Sequence, residues 1–242
     1  FPLVAKAGGV LKRAGHTEAG VDLARMAGLE PAAVIIEIMN TDGTMARRPE
    51  LEVFAETHGL KMGTIADLIE YRSIHEQSIQ FEQSHTVHTE WGPFTLHTFR
   101  DLIDETAHFA LQRGEIDSDK PLPVRVQPIN MLRDVLGTQL ESGRIGWSYR
   151  SAMAHIASID RGVLVLVGQH QAAPQLLDEV HQFLQTSSPP PQPQNYRLIG
   201  TGAQILKHLG VGQMQLLSAP LRFNALSGFN LEVSEFITEP HP

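Results

Sequence analysis

The segment 8–18, GGVLKRAGHTE, brings several chemically useful groups together directly before a helical pattern. A helix N-terminus presents unpaired N–H groups and positive potential, which favour bound anions such as phosphate. The two glycines permit close backbone approach, and Arg13 and Thr17 add guanidinium and hydroxyl donors. Because His16 can bind a metal or carry a proton, the segment is a candidate site for an anionic substrate and a metal ion.

A purely structural reading of the same segment also stays open. In that reading the segment is an ordinary loop, Thr17 is the N-cap of the following helix, and Glu18 lies in the first turn. Its cations would then be solvated. The local pattern does not separate the two readings.

Glu37 lies within AAVIIEIMN, residues 32–40, an apolar run rich in β-branched residues that predicts a buried parallel strand. An ionised carboxylate there is unfavourable unless it is paired, protonated or bound to metal, so Glu37 suits an acid/base catalyst. The alternative is an edge strand that directs Glu37 to solvent. Alternation does not decide between them, because Ile35 and Met39 share its face.

Other patterns limit the chemistry. The 242 residues include no cysteine, which excludes disulfides, thiolate zinc sites and cysteine nucleophiles. HExxH, P-loop and GxGxxG motifs are absent from the sequence. The closely spaced His85 and His88 form at most a weak surface chelate.

The composition argues for a soluble protein that binds neither nucleic acid nor membrane. The net charge is −8 and the pI is about 5.8, whereas a general nucleic-acid binder carries a basic face. No apolar run approaches the ~20 residues of a membrane span. The start, FPLVAKAGG, is not a signal peptide. We expect a cytoplasmic protein truncated at its N-terminus.

Periodicity predicts alternating helices and strands in the first part of the chain. The predicted helices are 18–27, ended by Gly28; 49–58, ended by Gly59; and 64–72, begun by Thr64 and Asp67 in capping-box spacing. The predicted strands are 32–40, followed by the turn NTDGT, and 60–65. Residues 73–85 are predicted to extend the last helix as a linker.

The second part of the chain is richer in strand patterns. Strands are predicted on both sides of a Trp-Gly-Pro turn within 86–100, and within 105–116, 121–130, 162–169, 213–219 and 230–237. Helices are predicted over 148–160, 173–186 and 202–210, and SSPPPQPQ, 187–194, is an extended linker or loop. The fold class is therefore α/β (α+β), with domains 1–72 and 86–242 and a boundary near residue 80.

The motifs GGVLKRAGHTEA and EIMNTDGTMAR resemble the second half of the 3,4-dihydroxy-2-butanone 4-phosphate synthase family over residues 1–72. The resemblance implies conversion of ribulose 5-phosphate to 3,4-dihydroxy-2-butanone 4-phosphate and formate with Mg²⁺ (or Mn²⁺), by a homodimer. It implies His16 as metal ligand and Glu37 as catalytic acid/base. It places these residues at the substrate: Arg13, Ala14, Gly15, His16, Thr17 and Glu37.

The family's acidic metal-binding loop, Arg-Glu-x-Glu-Gly-Asp, is absent from this sequence. We therefore expect the chain to hold half of a synthase site and to be inactive alone.

Residues 86–238 resemble a GTP cyclohydrolase II domain through WGPFTLHTF, VRVQPINMLRDVLGT and IGTGAQILKHLGV. Where that family has three zinc cysteines, this sequence has Asn130, Glu141 and Gly143. Asn and Gly cannot replace thiolates, so we expect no zinc and no activated water for opening the GTP ring. The domain is predicted to be non-catalytic. The alternatives are a regulatory or dimerisation role, or true GTP cyclohydrolase II activity, against which the absence of cysteine argues.

Overall fold

The computed structural model of the protein describes residues 1–130, 134–137, 146–169, 177, 196–220 and 226–238. The chain divides into two compact units, Phe1–His75 and Glu76–Pro242. Glu141, Gly143, the segment 187–194 and, apart from Leu177, the helix predicted over 173–186 lie outside the described residues.

The first unit consists of a 3-10 helix and three α-helices: Gly9–Leu11, α1 His16–Met26, α2 Arg48–His58 and α3 Ile65–His75. The predicted end signals are confirmed. Gly28 and Gly59 have φ of 73° and 62° after α1 and α2. At the start of α3, the Asp67 N–H donates to Thr64 Oγ1 at 3.1 Å.

The predicted start of α1 is wrong. Helix α1 begins at His16 with Gly15 as the N-cap, and no side chain caps its N–H groups. Thr17 is therefore inside the first turn, where its side chain cannot act as the N-cap. Glu18 lies in the first turn, as predicted.

The buried face of α1 is acidic. The buried residues of α1 are Glu18 and Asp22, whereas Leu23 is 56% exposed. Burial of an ionised carboxylate is unfavourable unless the carboxylate is paired. The partners of these two carboxylates lie in the segment before α1 and in α3.

The predicted strand 32–40 is wrong. Its residues have no regular secondary structure apart from an isolated bridge between Met39 and Met45, and Val34 is 93% exposed. A strand requires a neighbouring strand for its backbone N–H and C=O groups, and residues 1–75 supply none. The turn after it is confirmed, because the Thr44 N–H donates to Asp42 Oδ1 at 3.0 Å.

Two further predictions are wrong for related reasons. Residues 60–64 form no strand, since they too lack a pairing partner, and α3 begins at Ile65. Residues 73–85 are not one linking helix, because α3 ends at His75 and a strand begins at Ile79. Cross-strand hydrogen bonds to the following strand fix residues 79–85 as part of the sheet.

The second unit is built on a mixed sheet of seven strands within the described residues. They are β1 Ile79–Thr89, β2 Gly92–Asp101, β3 Ala107–Arg113, β4 Leu122–Pro128, β5 Gly162–Val167, β6 Gln213–Leu217 and β7 Glu232–Ile237. Their order is β1-β2-β3-β5-β4-β6-β7. The β1-β2-β3-β5 pairs are antiparallel and the β5-β4-β6-β7 pairs are parallel. The mixed α/β fold class is confirmed.

Two helices, α4 Tyr149–Ser158 and α5 Tyr196–His208, pack on this sheet. Met153 of α4 packs in one cluster with Leu164, whereas Gly202 of α5 lies close against Val126. Val126 pairs with Val165, the neighbour of Leu164, and successive strand residues face opposite sides. The helices therefore cover opposite faces of the central strands, whose residues Leu164 and Val165 are fully buried.

Candidate functional site

The approach to α1 is built on the buried carboxylate of Glu18. Its Oε1 lies 2.8 Å from Arg13 Nη2 and accepts a hydrogen bond of 2.8 Å from the Lys6 N–H. The Arg13 guanidinium, followed by the Lys6 N–H, holds the pKa of Glu18 below its ordinary value. Glu18 thereby ties both ends of the segment before the helix to its first turn.

Asp22, one turn further along α1, holds the 3-10 helix in the same way. Its Oδ2 accepts hydrogen bonds from the Val10 N–H at 2.8 Å and from Arg72 Nη1 at 2.7 Å. Arg72 also donates to the Gly8 carbonyl at 2.9 Å. Since all of these groups are buried or nearly so, the network fixes the loop to α1 and α3.

The two buried carboxylates explain two of the glycines. Gly9 has φ of 61°, and a Cβ there would overlap the Asp22 carboxylate. A Cβ on Gly15 would lie 2.6 Å from Glu18 Oε2. The glycines therefore give space to charged groups of the protein itself, in addition to any role near a ligand.

The network leaves a short exposed surface at the start of α1. Arg13 has half of its side chain exposed, and Ala14 and His16 are exposed, while Gly15 and Thr17 are partly exposed. No side chain caps the first N–H groups of the helix. A guanidinium, an imidazole, a hydroxyl and uncapped N–H groups side by side can bind an anion and one face of a metal ion.

Glu37 occupies a different segment and is exposed, so of the two alternatives the structure supports the one in which its side chain faces solvent, and the buried alternative is wrong. Its side chain makes no hydrogen bond or ion pair with the described residues. A Cβ on Gly20 would lie 3.0 Å from Ala33 Cβ, which shows that the segment before Glu37 lies against α1. The structure thus groups Arg13 to Thr17 and does not pair Glu37 with them.

The described residues contain no group of three histidine, aspartate or glutamate side chains arranged to hold a metal. His16 is exposed at a helix start and is chemically suited to be one ligand of a divalent ion. It fits a metal site as a single ligand, and the part of the chain that the structure describes does not complete the coordination.

Sequence reasoning missed Glu18, Asp22 and Arg72 as the residues that shape the site. A usable signal was present, because acids four residues apart lie on one helical face. The burial of Asp22 depends on its contact with Arg72, fifty residues further along the chain. Local periodicity does not predict a contact at that separation.

In the second unit, Asn130, the first residue at the zinc-cysteine positions, follows β4. Its N–H donates to Asp134 Oδ2 at 2.9 Å, and its carbonyl accepts from the Asp134 N–H at 2.8 Å. These two hydrogen bonds join Asn130 to Asp134.

A partly buried ion-pair cluster joins the end of β2 to the start of α5. Arg197 Nη2 lies 2.9 Å from Asp101 Oδ2 and 2.6 Å from Asp104 Oδ2. Burial alone would raise the pKa of Asp101, but His108 and Arg197 lower it to about 2. Because His108 Nε2 is 3.8 Å from Asp101, too far for a hydrogen bond, we attribute most of the lowering to Arg197.

Comparisons with known families match two parts of the chain. The model of the family described as GTP cyclohydrolase II matches residues 80–238. The model of the family described as 3,4-dihydroxy-2-butanone 4-phosphate synthase matches residues 1–71.

Curated relatives align along nearly the whole chain. A Pseudomonas aeruginosa protein named 3,4-dihydroxy-2-butanone 4-phosphate synthase is 49% identical over 238 residues, covering 98% of this chain and 64% of that protein. An Aquifex aeolicus protein named riboflavin biosynthesis protein RibBA is 41% identical, covering 100% of this chain and 63% of that protein. The chain therefore spans a little less than two thirds of these relatives.

A solved structure is also similar to this chain over nearly its whole length. The crystal structure of RibBX, a two-domain 3,4-dihydroxy-2-butanone 4-phosphate synthase from A. baumannii, is 48% identical with a TM-score of 0.75, covering 98% of this chain and 63% of that one.

Proposed function

This chain belongs to the GTP cyclohydrolase II family over residues 80–238, and its residues 1–71 match the 3,4-dihydroxy-2-butanone 4-phosphate synthase family. We propose that it is part of a riboflavin-biosynthesis enzyme that is cytoplasmic and homodimeric. The reaction is the conversion of ribulose 5-phosphate to 3,4-dihydroxy-2-butanone 4-phosphate and formate, catalysed by a lyase. The names of relatives at 40–49% identity support this reaction.

The observation that carries the proposal is the shape of the segment Arg13–Thr17. Buried Glu18 and Asp22 of α1 hold the backbone that precedes it, at Lys6 and Val10, while Arg13 and His16 stay exposed. A rigid loop with exposed donors favours binding of a small phosphorylated sugar. The loop is already ordered in the folded protein, so binding does not lose the conformational entropy of ordering it.

In this proposal, Arg13, Thr17 and the uncapped N–H groups of α1 bind the substrate at its anionic end, and Ala14 and Gly15 line it. Glu37 accepts and returns protons at its carboxylate oxygens during enediol formation. Its exposure in this chain leaves both oxygens accessible.

We assign His16 as one ligand of Mg²⁺ (or Mn²⁺), with its remaining ligands outside the described residues. A divalent ion held there would supply Lewis acidity towards the ketose oxygens.

The assignment is tested in a chimaera that joins this chain to the part of the Pseudomonas aeruginosa relative that it does not span. His16→Ala and Glu37→Gln are each expected to remove more than nine tenths of the formate released from ribulose 5-phosphate with Mg²⁺. A tenfold loss corresponds to ~1.4 kcal/mol of barrier. His58→Ala is the matched control, because His58 is an exposed histidine at the end of α2.

Either variant that keeps more than about a tenth of the parent kcat, a barrier change below ~1.4 kcal/mol, contradicts the role of that residue. The comparison is valid only if thermal unfolding shows the variant to be as folded as the His58→Ala control.

For residues 86–242 we propose a non-catalytic role in regulation or dimerisation. The zero cysteine count carries this second proposal, since the thiolate ligands of a cyclohydrolase zinc site cannot be formed. GTP cyclohydrolase II activity remains the alternative, and zinc content with GTP turnover distinguishes the two.

A further inference from the structure

Ser84, His97 and Gln112 form a chain of hydrogen bonds across three strands of the second unit. Ser84 of β1 is the direct cross-strand partner of His97 of β2, and Ser84 Oγ lies 2.8 Å from His97 Nδ1. On the other side of the ring, His97 Nε2 lies 2.9 Å from Gln112 Oε1 of β3. Cross-strand neighbours on one face are held in place by the sheet itself.

The direction of these hydrogen bonds is fixed by a fourth group. Gln112 Nε2 donates to the Gly114 carbonyl at 2.9 Å, so Gln112 Oε1 must face the imidazole. An amide oxygen only accepts, and His97 Nε2 therefore carries the proton. His97 Nδ1 then has a free lone pair, and Ser84 donates its hydroxyl proton to it.

This arrangement has the order nucleophile, base and orienting group. Burial, which the Gln112 hydrogen bond partly offsets, lowers the pKa of His97, and nearby His208 lowers it further. The imidazole is thus neutral and able to accept a proton at neutral pH.

The hydroxyl is open to reagents. Among the described residues, strand β1 lies at the edge of the sheet, and Ser84 is exposed while His97 is partly buried. The ring of Phe81, 37% exposed, stacks on His208 at 4.9 Å and lies 6.4 Å from the His97 ring. An apolar aromatic surface therefore lies near the imidazole that binds the hydroxyl, and it suits a short acyl or aryl group.

We propose that Ser84 is an acyl-accepting nucleophile that His97 activates and Gln112 positions, with small uncharged activated esters as its substrates. Ser84 Oγ bonds to the ester carbonyl carbon, its proton moves to His97 Nδ1, and the carbon–oxygen bond to the leaving alcohol breaks. With a nitrophenyl ester the leaving group departs as nitrophenolate, and His97 then releases the proton to water. The product is an O-acylated Ser84.

The test treats the full chain with p-nitrophenyl acetate and measures acetylation of individual serines by peptide mass spectrometry at early times. Ser158 is the internal control, because it is exposed but its hydroxyl donates to the His155 carbonyl at 2.7 Å. Ser84 is expected to be acetylated at least tenfold faster than Ser158, a modest part of what general base catalysis supplies.

Variants separate activation from exposure. His97→Ala is expected to lower the Ser84 rate to that of Ser158, and Gln112→Ala to lower it in part. Gln112→Glu is expected to keep it, because a carboxylate also accepts from His97 Nε2. Partial unfolding of a variant would raise the acetylation rates of both serines. The ratio of the Ser84 rate to the Ser158 rate therefore still measures activation. Equal rates at Ser84 and Ser158, or a Ser84 rate unchanged by His97→Ala, would overturn the proposal.

Discussion

Glu18 and Asp22 show how individual charges shape the candidate site of this protein. Both are acidic residues on a helix whose apolar residues are largely exposed, and both are buried because each has cationic and N–H partners. Replacement of a cationic partner leaves a buried carboxylate with less compensation for its charge, which destabilises the folded state. The exposed donors Arg13 and His16 thus depend on residues that do not reach a substrate.

A glycine pair tests this role of Asp22. Gly9→Ala is expected to destabilise the loop by about 2–4 kcal/mol, because positive φ and a carboxylate clash add. Gly43→Ala is the matched control, since Gly43 also has positive φ, 84°, but open space around it, and is expected to cost about 1 kcal/mol. Hydrogen exchange of residues 6–26 in the full chain measures the difference. Equal protection in both variants would contradict the clash.

At the scale of elements, the second unit depends on the attachment of α5 to β2 through Arg197, Asp101 and Asp104. Asp101 has a pKa of about 2 in the folded chain, below its ordinary value of 3.8. The folded state therefore binds fewer protons than the unfolded state. The resulting stability is present above pH 3.8 and is lost as the pH falls towards 2.

We expect Asp101→Asn to remove this acid sensitivity. Between neutral pH and pH 3, the free energy of unfolding of the parent chain should fall by about 1 kcal/mol more than that of the variant. Urea unfolding followed by the fluorescence of buried Trp147 measures both. Asp119→Asn, at an exposed aspartate, is the control and should keep the parent's pH dependence, and identical curves for all three proteins would contradict the assignment.

The elements also show what the sequence could predict. Strands β2 to β7 and helix α4 follow from apolar runs, alternation and turn residues, and each has its partners within the second unit. Residues 32–40 have an equally strong strand pattern but no neighbouring strand in residues 1–75. Propensity describes what a segment can form, whereas pairing decides whether it forms. For the same reason the role of Arg72 could not be predicted from local sequence, because its contacts are with residues distant in the chain.

On the scale of the whole molecule, the two units differ in how they are stabilised. Within residues 1–75, Val10 and Leu11 are the buried apolar side chains, while Val34, Ile36 and others are exposed. The second unit instead has a continuous core around its central strands. In the part of the chain that the structure describes, no helix has the length and apolar character to cross a bilayer.

The second unit yields a prediction about metal content. Protein purified without chelator is expected to contain no stoichiometric zinc and to release no formate from GTP, because Asn130 and Gly143 cannot replace thiolates. Elemental analysis with a GTP absorbance assay measures both. One zinc per chain together with GTP turnover would mean that other residues had rebuilt the site.

The most direct test of the proposed function compares formate release from ribulose 5-phosphate by this chain alone and by the chimaera with the Pseudomonas aeruginosa segment. Arg13, His16 and Glu37 are all present in both, but the described residues do not complete a metal site. We predict no measurable release by the chain alone and Mg²⁺-dependent release by the chimaera. Formate release by the chain alone at the rate of an intact synthase would contradict the half-site, and an inactive but folded chimaera would contradict the synthase assignment itself.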